Sequence, residues 1–140
     1  MIGTRREQTL AIFTKSLSFA CFLASGEKSK GVALGMQNGG IPNDDVTASY
    51  YVNHSSYLPH GARLFSTNTA WHSSYTDKNN FLLIDLGLQK TTVTRIATQG
   101  HYDDRHAHAV IQYYLSFSRE GLFFHRYFEH NNPKVSQSMR

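Results

Sequence analysis

The segment IQYYLSFS, residues 111 to 118, alternates strictly: Ile111, Tyr113, Leu115 and Phe117 fall on one face, Gln112, Tyr114, Ser116 and Ser118 on the other. A period of two belongs to a strand, because successive side chains of extended backbone point to opposite faces. SREG then supplies turn chemistry ending in Gly121, and LFFHRYFEH is a second aromatic-rich run, so residues 111 to 130 predict a β-hairpin. FLLIDLG (81–87) is a short continuous apolar run stopped by Gly87, which predicts a strand buried on both faces. TTVTRIATQG (91–100) is β-branched and also ends on glycine, and VTASYYV (46–52) is a further strand candidate. Between these runs lie MQNGGIPNDD, NHSSYLPHG and HSSYTDKNN, clusters of turn-forming and polar residues that belong in loops. Outside the N-terminal region no stretch of 12 residues has helical periodicity with caps, and there is no internal repeat. The expected fold class is all-β, a sandwich or barrel of antiparallel strands with long loops at its ends.

At 140 residues, 40% hydrophobic and 13% aromatic, the chain is large and apolar enough for one domain with its own core. Its formal charge of +4 is distributed unevenly. Residues 1 to 31 contribute +3 and the segment after His130 contributes +2, whereas the body from Val32 to His130 carries −1. A protein that tracks a phosphate backbone needs its positive charge on the folded surface that meets it, so nucleic acid is excluded as the expected partner.

Near the N-terminus, Arg5, Arg6 and Lys15 precede a short apolar run from Leu17 to Ala24, and Ala24 and Gly26 have the spacing of a leader cleavage site. Residues 1–26 thus resemble a secretory signal, with 27–31 as a linker; the alternative is an ordinary N-terminal helix. Removal of the segment takes Cys21, the single cysteine, with it and leaves a thiol-free domain. No other apolar run approaches the roughly 18 residues needed to span a bilayer, so a soluble or secreted chain is expected.

Six blocks carry more than a periodicity: ALGMQNGGIPNDDVTAS (33–49), GARL (61–64), TAW (69–71), FLLIDLG (81–87), VTRIATQG (93–100) and YYLSFSREG (113–121). In order and approximate spacing the sequence resembles the discoidin domain, also called the coagulation factor V/VIII C-type domain. The resemblance implies a jelly-roll-like β-sandwich or barrel whose ligand-contacting loops project from one end, in an extracellular, non-enzymatic binding module without a cofactor. It also implies structural roles for Trp71 as a large buried anchor, for Gly35, Gly61, Gly87, Gly100 and Gly121 where strands end, and for Asp85, a carboxylate in an apolar strand with Arg63 or Arg95 as its partner. Two departures stand out. Lys30 occupies the place of the family's opening cysteine, and no closing strand with its cysteine follows the hairpin. The resemblance therefore covers roughly the first two thirds of the domain, over residues 32–130, with 131–140 as a tail. The expectation is an incomplete domain in which strand edges are left open.

The projecting loops are then YYVNHSSYLPH (50–60), the segment around Asn68 before the Trp71 block, and HYDDRHAHA after Gly100. Tyr50, Tyr51, His54, Tyr57, Leu58, Asn68, His101, Tyr102, Asp103, Asp104, Arg105, His106 and His108 are the candidate ligand contacts. The partner they imply is a cell-surface glycan or a matrix protein, in an adhesion role. The first loop has a polar tip, Asn53 to Ser56, which argues against insertion into anionic phospholipid and leaves membrane phospholipid as an alternative partner. For Tyr50, Tyr51, Tyr57 and Leu58, membership of the core is the alternative. Asn53-His54-Ser55 is also an N-glycosylation acceptor in a secreted chain. Family members that bind collagen use four positions that correspond to Val52, Asn68, His101 and approximately His108, and none keeps the family's charge or ring. Collagen remains an alternative on the spelling of the first block. A reading of a different class takes His101, His106 and His108, with Asp103, as a metal or enzymatic centre, which requires the loop to fold back on itself. The histidines also make the charge of this loop responsive near pH 6.

Overall fold

A computed structural model of the chain describes residues 9–14, 18–25, 32–66, 68–73, 79–87, 91–102, 106–110, 112–129 and 132–133. The strands, in chain order, are β1 (Thr9–Thr14), β2 (Ser18–Ser25), β3 (Val32–Ala33), β4 (Val46–Ala48), β5 (Trp71–His72), β6 (Asn80–Asp85), β7 (Val93–Gln99), β8 (His101–Tyr102), β9 (Ala107–His108), β10 (Tyr113–Ser118), β11 (His125–Arg126), β12 (Phe128–Glu129) and β13 (Asn132–Pro133). Among the described residues the only helical turns are short 3-10 turns at Asn43–Asp45, Ser55–Tyr57 and Pro59–Gly61. Every strand pairing is antiparallel. The all-β class read from the sequence is the class found.

One sheet runs in the order β11-β10-β1-β6-β4, and in a second β2 pairs with β3, β5 and β7. The described residues also form two small hairpins, β8–β9 and β12–β13. Residues 9–14 and 18–25, within the segment that resembles a leader, are thus paired strands. The seat between β6 and β10 is filled by β1, which registers with both over its six residues.

The core forms where the two sheets face each other. Met36, Ile41, Val46, Ala62, Trp71, Leu82, Ile84, Val110 and Tyr113 make one buried cluster, with Val93 and Ile96 of β7 packed against it. Trp71 is fully enclosed, and its indole Nε1–H donates to the Tyr50 carbonyl at 2.9 Å, so the expected anchor is also bonded to the first projecting loop. In β6, Asn80, Leu82 and Ile84 are buried while Phe81, Leu83 and Asp85 are half-buried, as suits a strand paired on both sides.

Two local expectations are corrected. Arg63 does not partner Asp85; its guanidinium donates to the carbonyls of Met36 and Ile41 and, at 2.8 Å, to Asn43 Oδ1, clamping the 36–43 loop. Burial lowers its pKa below the ordinary arginine value, but a guanidinium stays charged in proteins. Asp85 Oδ1 instead accepts the Gly87 N–H at 2.7 Å, closing a turn whose φ of +79° at Gly87 favours glycine. In β10 the apolar face is not uniformly inward: Ser116 and Ser118 are buried, at 4% exposure each, and Phe117 faces out. Ser118 Oγ accepts the N–H groups of Glu120 and Gly121, so a polar side chain is buried to cap the hairpin turn. The second strand of that hairpin is also shorter than its apolar run: His125 and Arg126 pair with β10, and Tyr127 N–H donates to the Leu115 carbonyl at 2.9 Å.

Candidate functional site: the loop rim

The registers place the loops. Thr14 lies opposite both Asn80 and Tyr113, Ser49 N–H donates to the Phe81 carbonyl at 3.0 Å, Ser18 lies opposite His72 and Ala20 opposite Gln99. The segments after β4, around β5 and after β7 therefore leave from one end of the two sheets.

The first loop is fastened to β5 and the residue before it by two backbone contacts besides the indole bond, and a third closes a turn within the loop. Val52 N–H donates to the His72 carbonyl at 3.3 Å, Ala70 N–H to the Ser56 carbonyl at 2.9 Å, and Gly61 N–H closes its own 3-10 turn on the Leu58 carbonyl at 2.9 Å. His54 Nδ1 accepts the Ser56 N–H at 3.3 Å, capping the turn Ser55–Tyr57. Asn53, His54 and Ser55 are exposed, so the polar tip read from the sequence is present, and Tyr50 and Tyr51 are exposed beside it. Tyr57 and Leu58 are half-buried.

Beneath this tip the rings form a continuous contact. Tyr57 lies 4.0 Å from His72 between centroids at an interplanar angle of 32°, and His54 lies 5.2 Å from Tyr57. On its other side His72 meets His108 at 5.0 Å and His101 at 6.1 Å, both edge-on, and His106 lies 5.9 Å from His108. The third loop does fold back: β8 and β9 form a hairpin with His101 opposite His108 and Tyr102 opposite Ala107. Gly100 permits that close return, because a Cβ there would stand 2.8 Å from the His108 carbonyl oxygen. His72, buried and central to the cluster, joins the first loop to the third. Nothing in the sequence around Trp71 distinguished it, since its role depends on strand register. Asp103, Asp104 and Arg105 lie outside the described residues, and among the described residues no group of three His, Cys, Asp or Glu side chains converges in a metal-holding arrangement.

The second loop adds a residue that sequence reasoning passed over. Phe65 is 72% exposed and has a φ of +61°, a left-handed conformation that costs a bulky residue free energy. Its N–H donates to Gln99 Oε1 at 2.9 Å, so it is held beside the start of the third loop, where Tyr102 is 70% exposed. Ser66 and Thr69 join their hydroxyls across the same loop, and Asn68 is exposed. The available signal was position: Phe65 directly follows the GARL framework block, where a loop-tip aromatic has no core to serve.

The rim thus presents exposed rings from three loops, Tyr50 and Tyr51, Phe65, and Tyr102, with Asn53, His54, Asn68 and His106 supplying hydrogen-bonding groups. Chemically, the rings are flat apolar faces and the amide and imidazole groups beside them are hydrogen-bond donors and acceptors. An antiparallel β domain with such loops gathered at one end belongs to the class of binding modules. The family profile F5/8 type C domain matches residues 45–140, and the chain belongs to that discoidin family, whose members are generally non-enzymatic binding modules. It is 34% identical to lactadherin of Bos taurus over 112 residues, 75% of this chain and 25% of the relative. It is 30% identical to neuropilin-2 of Homo sapiens over 109 residues, 76% of this chain and 12% of the relative. With the human EGF-like repeat and discoidin I-like domain-containing protein 3 it shares 36% identity over 95 residues, 63% of this chain and 20% of the relative. The chain therefore spans about a quarter or less of the length of these curated relatives. No solved structure matches it significantly.

Proposed function

We propose that this chain is a non-enzymatic extracellular recognition domain that uses its loop rim to hold a cell-surface glycan or a matrix protein, in an adhesion role. The observation that carries the reading is the set of exposed rings on three loops, resting on the ring contact centred at His72. An aromatic face matches the apolar face of a sugar or the side chain of a peptide, and the neighbouring amide and imidazole groups fit hydroxyls and backbone. A rigid base lowers the ordering cost of binding, because the loops are already tied to β5 and to one another. Membership of the discoidin family and the extracellular setting implied by the resemblance support the same reading. Asn53, exposed at the tip, is the proposed glycan acceptor in a secreted chain.

A second reading rests on Phe65. An exposed apolar ring on a left-handed backbone suits insertion into the interfacial region of an anionic bilayer, although the first loop offers a polar tip there. Binding of the full chain to a glycan array, to immobilised collagen and to phosphatidylserine vesicles separates the readings. Retention on glycan or collagen that falls in Tyr50→Ala and Tyr102→Ala variants supports the first. Retention on vesicles alone, lost in Phe65→Ala, supports the second. No binding to any of the three removes both. Stoichiometric zinc, nickel or calcium in the purified protein, measured by elemental analysis, would revive a metal-centred reading of the histidines.

A further inference from the structure

The segment that looks most like a leader has a different place in the fold. β1 registers residue for residue with β10 on one side, Thr9 opposite Ser118 to Thr14 opposite Tyr113, and with β6 on the other, Thr9 opposite Asp85 to Thr14 opposite Asn80. It is an interior strand, with Ala11 only 1% exposed. β2 registers with β7 from Ala20 opposite Gln99 to Ser25 opposite Val93, with β3 at Ala24 and Ser25, and with β5 at Ser18 and Phe19.

Without these two strands each sheet is divided, because β1 joins β10 to β6 and β2 joins β7 to β3 and β5. Adjacent strands lie about 4.8 Å apart, so losing β1 leaves β6 and β10 separated by about twice that distance, too far to bond each other. The backbone N–H and C=O groups that point into the gap from both strands then have no ladder partner. The rim depends on the same segment. β2 lies against His72 through Ser18 and against Gln99 through Ala20, and these two residues carry the ring contact and the Phe65 anchor.

We propose that the strands at 9–14 and 18–25 remain in the folded domain as inner strands of its sheets, so that the apolar run ending at Ala24 is an interior strand and not a removable leader. The two uses draw on one composition: a short apolar run bounded by polar residues satisfies both a leader's apolar stretch and a strand inside a sheet. The two strands do not pair with each other: β1 takes an inner place in the first sheet and β2 in the second. Retaining β2 also keeps Cys21 in the domain, its backbone opposite Thr98. The inference is independent of what the rim binds.

Hydrogen–deuterium exchange on the full chain, read by mass spectrometry, tests it. Amides of 9–14 and 18–25 are expected to be protected to within about tenfold of those of 80–85 and 113–118, because strands of one sheet open together. In an Ala11→Pro variant, which removes one ladder donor from an interior strand, protection is expected to fall in β6 and β10 as well as in β1. Protein released from secreting cells is expected to titrate one thiol after denaturation and reduction, since Cys21 is the single cysteine. Exchange of 9–25 within seconds while 80–85 and 113–118 stay protected overturns the proposal. So does an unchanged melt in Ala11→Pro, or a released chain that has lost its thiol.

Discussion

The two ends of the sheets carry exposed aromatic and aliphatic side chains in very different settings. At the rim, Tyr50, Phe65 and Tyr102 stand on loops bound to β5, to Gln99 and to the β8–β9 hairpin, over rings in mutual contact. At the far end, the hairpin between β10 and β11 exposes Leu122 and Phe123 to 75% and 77%, beside an open groove lined by Phe117, Ser118, Arg119, Glu120, Phe123 and His125. Exposure is equal or greater there, so exposure alone does not mark the site. What distinguishes the rim is convergence: three loops meet with their backbones satisfied by the framework, which fixes the exposed groups relative to one another.

That contrast yields a graded set of outcomes. Replacing Trp71 by alanine removes the anchor of both core and first loop and is expected to cost about 3–5 kcal/mol, read as a lowered denaturant midpoint, with loss of rim binding. His72→Ala removes the ring that joins the first and third loops; a loss of about 1–3 kcal/mol is expected, with weakened binding even under conditions where the protein remains folded. Phe65→Gly relieves the left-handed strain and is expected to stabilise the fold by up to about 1 kcal/mol while reducing rim affinity, a separation of stability from binding that marks a functional residue. Leu122→Ala and Phe123→Ala are expected to stay within about 0.5 kcal/mol of the parent and to leave binding unchanged. A larger effect on binding from the far-end pair than from Phe65 would reverse the comparison.

The legibility of the fold in the sequence followed the same division. Where burial and periodicity agree, as in β6 with its alternately buried Leu82 and Ile84 or at fully buried Trp71, the strand and the anchor were readable from residue type alone. In β10 Tyr113 and Leu115 of the apolar face pack on the core, and the inward side changes toward the turn, where capping buries Ser118 and leaves Phe117 exposed. At the rim, the composition of the third loop drew attention to His101, His106 and His108, but the ring around which they gather is His72, from a distant strand. Register creates that proximity, and it is not written locally. Phe65 was hidden for a related reason, since its exposure follows from a backbone conformation that sequence pattern does not report. The N-terminal run was the most ambiguous, because hydrophobic content without periodicity fits a leader, a helix and an interior strand alike.

The central claim is that binding lives on the rim and not on the exposed hairpin at the other end. Its most direct test is a titration of the parent chain, of Tyr50→Ala, Phe65→Ala and Tyr102→Ala combined, and of Leu122→Ala and Phe123→Ala combined, against whichever of glycan, collagen or phosphatidylserine vesicle the parent retains, with melts of all three proteins in parallel. The account predicts at least a tenfold weakening for the rim triple, about 1.4 kcal/mol, with a melt matching the parent's, and no change for the hairpin pair. Parent-like binding by the folded rim triple, or loss of binding by the hairpin pair, would contradict it.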